Sequence, residues 1–116
     1  MISIEVFRKL ALSFAEVEEL PHFEKTSFRV RKKIFSTLDT QHNRACMKLT
    51  EIDQSIYCAI DPAMIHMVPN KWGKQGWTFV ELGKVNKEIL TDILTTAYCT
   101  VAPKALVSKY EEDDLA

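Results

Sequence analysis

The residues best able to do chemistry in this chain are cations set among hydrophobics. The stretch TSFRVRKKIFSTL, residues 26–38, carries Arg29, Arg31, Lys32 and Lys33, with Lys25 just before it. Lysine and arginine bind phosphate backbones through charge and counterion release, and that attraction needs no fixed spacing. A β-ribbon ending in these residues could lie along a nucleic-acid groove. The simpler account is the wet face of an exposed strand, where lysine also protects an edge. A second stretch, PNKWGKQGW at 69–77, offers Asn70, Lys71, Trp72 and Lys74. An indole in such a loop can stack on a base or wedge at a groove. Trp72, between lysine and glycine, is the stacking candidate; Trp77 opens an apolar strand and is expected in the core.

Catalytic chemistry has less to work with. No GxSxG, P-loop or HExxH pattern occurs. Cys58, His66 and Asn70 are the nearest raw material, and nothing in their spacing requires them to converge. No enzyme is expected. Cys46, Cys58 and Cys99 lack CxxC spacing and read as reduced thiols acting as small hydrophobes. His22, His42 and His66 are scattered, so neither a metal nor another cofactor is expected.

The elements that must position these residues follow from length and patterning. The 116 residues suffice for one domain, 1–116, closing a core without disulfides or metal. No run is long and apolar enough to span a bilayer and no secretory signal is visible, so a cytoplasmic protein is expected. Net charge is −1, yet residues 22–87 carry eleven Lys and Arg against six Asp and Glu. A basic face is therefore compatible with the near-neutral total. The acidic end, 111–116, reads as a solvated, flexible end.

Ser3 can cap a helix bearing Val6, Phe7, Leu10, Ala11 and Phe14 at helical spacing. Residues 15–23 could prolong it or open into an extended segment, with a boundary at Pro21 at the latest. Phe28 and Val30 alternate with Arg29 and Arg31, the pattern of a strand with one buried and one wet face. IFSTLD and RACMKLT complete an antiparallel meander, with Ala45, Met47 and Leu49 inward and Arg44, Cys46 and Lys48 outward. Thr50 can cap a short helix in which Ile52, Ile56, Ala59 and Ile60 make an apolar stripe. MIHMV and WTFVEL read as strands around the loop PNKWGKQG, and Asn86 can cap a long helix before a short one after Pro103. The expected fold is α+β: about five antiparallel strands with N- and C-terminal helices on one face and the other face open. No apolar stripe is left over, so a monomer is expected.

With these segments in order, the chain resembles the MmcQ/YjbR family of small bacterial proteins. TSFRV followed by KIF, the short apolar strand before a loop, and KQGWTFVEL before a C-terminal helix carry the resemblance over nearly the whole length. It implies a frataxin-like (CyaY-like) fold and, as a family proposal, DNA binding through a "double wing". The two wings would be the 29–33 tip and the loop around Asn70, Lys71, Trp72 and Lys74, on one side and without intervening acids. The family's first hairpin often has glycine in its turn, whereas here Arg31, Lys32 and Lys33 stand there. That makes a two-residue type I′ turn less favourable, since lysine resists positive φ. Frataxin-like folds also suggest iron, but Glu5, Glu16, Glu18 and Glu19 make a thin set of carboxylate ligands. The alternative to DNA is a non-catalytic module for a small molecule or a protein. It would use the open sheet face and the aromatic loop 69–77, near His66, Trp72 and Cys58.

Overall fold

The computed structural model describes the backbone of residues 2–115 and the side chains of residues 2–110. The expectation for the acidic end, 111–116, lies outside the described side chains. Helix α1 (Ile4–Leu12) leads into strands β1 (Val17–His22), β2 (Lys25–Val30), β3 (Lys33–Asp39) and β4 (Arg44–Lys48). Helix α2 (Glu51–Cys58), strand β5 (Ile65–Met67), one helical turn α3 (Lys71–Lys74) and strand β6 (Trp77–Glu81) follow, then helices α4 (Lys87–Val101) and α5 (Lys104–Leu115). The strands form one antiparallel sheet in the order β1-β2-β3-β4-β6-β5. The α+β layer expected from the sequence is the architecture found, with β1 added at one edge. Pro21 is tolerated in β1 because an edge strand need not donate to a second neighbour.

Each expected cap is made. Ser3 Oγ accepts from the Val6 N–H, Thr50 Oγ1 from Asp53 and Asn86 Oδ1 from Ile89, each worth about 1 kcal/mol over alanine. Alternation puts Phe28, Val30, Ala45 and Met47 on the covered face of the sheet, all buried, with Leu49 following. Against them α4 sets Leu90, Ile93, Leu94, Ala97 and Tyr98, and α1 sets Phe7 and Ala11. Phe7 meets Phe28 edge-on at 5.6 Å, while Phe14, Phe35 and Tyr110 surround Tyr98. Burying each such large side chain contributes about 1.5–3 kcal/mol.

Three local features differ from the sequence reading. The register Val30↔Lys33 leaves Arg31 and Lys32 as a two-residue turn with φ of 50° and 70°. This is type I′ geometry, because only the primed turns match the right-handed twist of the paired strands. The ladder imposes it at a cost of about 1–2 kcal/mol per left-handed residue. In α2 the stripe faces outward: Ile52 is 74% exposed, and Ile56 and Ile60 are also exposed. The buried side of α2 carries Gln54 and Tyr57, whose polar atoms satisfy groups that leucine could not. An apolar stripe is thus left uncovered on the surface, contrary to the expectation on which the monomer rests. Finally, the loop 69–76 contains the helical turn α3.

Candidate functional site on the open sheet face

Directly paired residues of an antiparallel ladder share a face, so the register lays out the open face row by row. Its middle row runs Leu20, Ser27, Thr37, Cys46, Phe79, His66 from β1 to β5. Three small side chains at the centre of that row leave a trough between bulkier neighbours. The trough is a groove of about 500 Å³, floored by Thr37 and Cys46, with Ile34, Trp77 and Phe79 beside it and Trp72 leaning in from α3. His22 and Lys25 line it on the β1–β2 side and Asn70 on the α3 side.

Trp77 is therefore not a core residue, contrary to the sequence expectation; it is half-buried on the open face. Both parities of WTFVEL are apolar, so alternation could not choose between them. Inward pointing goes to Thr78 and Val80, which are fully buried. The Thr78 hydroxyl donates to the Gly76 carbonyl and accepts from Gln54 Nε2, an arrangement that fixes the parity of β6.

Trp72 is half exposed, and the backbone beneath it is tightly held. Asn70 Oδ1 accepts from the Trp72 N–H at 2.8 Å. Gln54 Nε2 reaches the carbonyls of Gly73 at 3.0 Å and Trp77 at 3.2 Å. A β-carbon at Gly73 would stand 1.9 Å from the Val68 carbonyl oxygen, and one at Gly76 1.8 Å from that of Leu49. Gly76 also has φ of 102°. Both glycines are dictated by close backbone approach.

Cations cover the aromatic rings of this face. The Arg44 guanidinium lies 4.5 Å from the Phe79 ring centre while bonded to Glu81 at 2.9 Å. The Lys48 ammonium lies 5.7 Å from the Trp77 ring and donates to the Gln75 carbonyl. Lys71 lies 5.7 Å from the Trp72 ring. Such contacts favour cations at ring faces by ~0.5–1 kcal/mol where exposed. His66 Nε2 meets Glu81 at 2.7 Å, an orienting partner that the sequence did not reveal. Partial burial would raise the Glu81 pKa, but hydrogen bonds from His66 and Arg44 outweigh it and hold the group below its ordinary value. Burial pushes the Cys46 thiol up to about 11, against a weaker opposing pull from Lys25. At neutral pH it is not a nucleophile. Cys58 and His66 line a separate, shallower depression beside α2 and β5, so Cys58, His66 and Asn70 do not converge. Among the described residues no group of three or more His, Cys, Asp or Glu is placed to hold a metal. No described helix is long and apolar enough to cross a membrane.

The two basic segments leave the sheet at the same end. The β2–β3 turn and the β5–β6 connection both lie beyond the Lys48↔Trp77 level of the ladder. They are separated by three strand spacings, about 14 Å. Arg31 is drawn aside by a two-pronged pair with Glu16 at 3.0 and 3.1 Å. That hydrogen-bonded pairing, with its charge attraction, lowers the Glu16 pKa despite a smaller opposing desolvation. Arg29 Nε donates to Ser27 Oγ at 2.9 Å. Lys32, Lys33, Lys71 and Lys74 form no ion pair among the described residues. Between the tips this face presents Ile34 and Lys48; the acid of that level, Glu18, lies on the far side of Arg29 in β1, and Asp39 and Glu81 lie towards the opposite end of the face. Glu51 and Asp53 follow at this end but line other depressions.

Residues 12–100 match the sequence profile of the YjbR family. The chain belongs to the YjbR family. The segments TSFRV, KIF and KQGWTFVEL all fall inside that span. A crystal structure of the Deinococcus radiodurans protein DR2400, which contains the DUF419 domain, superposes with a TM-score of 0.77 at 20% identity. The match covers 94% of this chain and 88% of that one, and at this identity it shows a common fold. No curated protein matches the chain.

Of the groove residues, Ile34 and Phe79 carry no site expectation from the sequence, Lys25 is only one of the basic stretch, and Trp77 is expected in the core. A signal for them existed: Ser27, Thr37 and Cys46 are small residues at the outward parity of three successive strands. Small outward residues flanked by larger ones mark a depression in a sheet face.

Proposed function

We propose that this YjbR-family chain binds nucleic acid without catalysis, docking the β2–β3 turn and the α3 turn on phosphates. The observation that carries this reading is the shared exit of both basic tips from one end of one sheet. Among the described residues no acid stands between them on the open face. Lys32, Lys33, Lys71 and Lys74 supply most of the attraction, Arg29 and Arg31 add to it, and Trp72 and Asn70 stand where a base would be met. Phosphate contacts carry little sequence information, so binding is weak and largely sequence-independent.

The test is a fluorescence-anisotropy titration of duplex and single-stranded DNA across salt. With the four lysines engaged, log K falls against log salt on duplex with a slope of about −4. Charge reversal of Lys32 and Lys33 to glutamate reduces that slope by about 2 and weakens binding of every sequence alike. Absence of binding at low salt, or an unchanged affinity in the reversed variant, overturns the reading.

One observation favours a second reading, a non-catalytic small-molecule module: the groove of about 500 Å³ beside Trp72 is within the range that small ligands occupy. Ligand capture there would be nearly independent of salt, which separates it from phosphate docking.

A further inference from the structure

We propose that the groove receives an unpaired nucleobase of a single strand, with Trp72 as its stacking wall. This rests on the nucleic-acid reading above and names the form of nucleic acid that the open face takes. The groove is bounded by the flat side chains of Trp72, Trp77 and Phe79 over a floor of Thr37 and Cys46. A planar ring can enter such a slot only if it is out of a duplex, since paired bases present edges alone.

The surroundings match a polyanion bearing rings. Lys25 lines one end of the groove, and Lys48 and Lys71 sit against the faces of Trp77 and Trp72. Phosphates on either side of an inserted base would thus meet cations within a side chain's length of the ring. Asn70 spends its oxygen on the Trp72 N–H, and its amide N–H groups are without a partner among the described residues. They are donors available to a base carbonyl or ring nitrogen. Phe23, 94% exposed in the β1–β2 turn, contacts the groove residue His22 at 4.9 Å between ring centres. An aromatic side chain left in water beside the slot is a second stacking surface for a neighbouring base.

The experiment compares binding of an oligothymidylate of about fifteen nucleotides with a mixed-sequence duplex of equal length, at low salt, for the full chain and for Trp72→Ala and Trp72→Phe. Indole N–H resonances are followed by NMR. The single strand is expected to shift the Trp72 resonance. Trp72→Ala should lower the ratio of single-strand to duplex affinity by roughly tenfold or more, and Trp72→Phe should largely restore it. A ratio unchanged by Trp72→Ala, with salt-dependent binding intact, overturns the base-slot inference and leaves phosphate docking standing. Thymidine monophosphate shifting the Trp72 resonance at the same concentrations as the strand overturns it in favour of a small-molecule site. Failure of both nucleic acids to bind at low salt overturns it together with the reading on which it rests.

Discussion

At the scale of single residues, the chain holds two side chains in conformations that their chemistry disfavours. Arg31 and Lys32 both sit at positive φ because the ladder on either side leaves two residues to turn the chain. Replacing Lys32 by glycine removes the β-carbon clash but adds unfolded-state entropy. The net expectation is a gain of about 0.5–1 kcal/mol, read as a higher denaturant midpoint at constant slope. If the proposed phosphate docking holds, the same variant loses one contact, so stability and DNA affinity should move in opposite directions. Cys46 makes a second residue-scale case: its thiol lies on the groove floor, with burial raising its pKa to about 11. Two units above an ordinary thiol mean about a hundredfold less thiolate at neutral pH. Alkylation of Cys46, followed by peptide mapping, should be correspondingly slow and should accelerate above pH 10. Residue identities of this sort were legible in part. The charges and Trp72 could be picked out from type alone, whereas Lys25 and Phe79 acquire their place only through strand pairing.

At the scale of elements, α2 shows how a polar side chain can outrank an apolar stripe. Gln54 faces inward, its Nε2 within hydrogen-bond distance of the Gly73 and Trp77 carbonyls and the Thr78 hydroxyl, so it ties α2 to the α3 turn and to β6. Substituting Gln54 with alanine removes the second donor from carbonyls that keep one backbone partner each, Gly76 N–H for Gly73 and Val68 N–H for Trp77, and should cost about 1–2 kcal/mol. The measurement is chemical denaturation, with Trp72 fluorescence shifting as the α3 turn loosens. Gly73→Ala tests the same joint from its other side and should be destabilising, since its β-carbon would overlap the Val68 carbonyl. The caps at Ser3, Thr50 and Asn86 and the parity of β2 and β4 were legible because each depends on local spacing. Strand β1 was not: VEELPH has proline and glutamates, and it is a strand only because β2 pairs with it. Helix α2 differs from its apolar periodicity for a related reason: a stripe of isoleucines does not say which side of the helix meets buried acceptors.

At the scale of the whole molecule, pH and preorganisation are the properties that follow. The carboxylates of Glu16, Glu19, Asp39 and Glu81 all have lowered pKa values in the fold, through Arg31, Arg8, His42 and the His66–Arg44 pair respectively, with burial working against each. A lowered folded value means stabilisation that is complete above the ordinary carboxylate range and lost as pH falls through it. Thermal midpoints should therefore hold down to about pH 5 and drop below it, less steeply in Glu81→Gln. Tyr57 and Tyr98 have the opposite sign: burial raises both to about 12. Their contribution is present below the unfolded value near 10 and is lost as pH rises from there towards 12. Alkaline unfolding should coincide with tyrosinate absorbance. The overall layer was readable from the order of elements, while the groove was not, because a trough arises from six strands considered together. The two glycine contacts under Trp72 bear on this last point. With Gly73 pressed on Val68 and Gly76 on Leu49, the backbone that carries the wall of the groove is held in place before anything enters it. Amide exchange at Gly73 and Gly76, both buried and hydrogen-bonded, should then be as slow in the empty protein as in the flanking strands. A ligand would then spend little of its binding energy on ordering that backbone, leaving only the Trp72 side chain to be fixed.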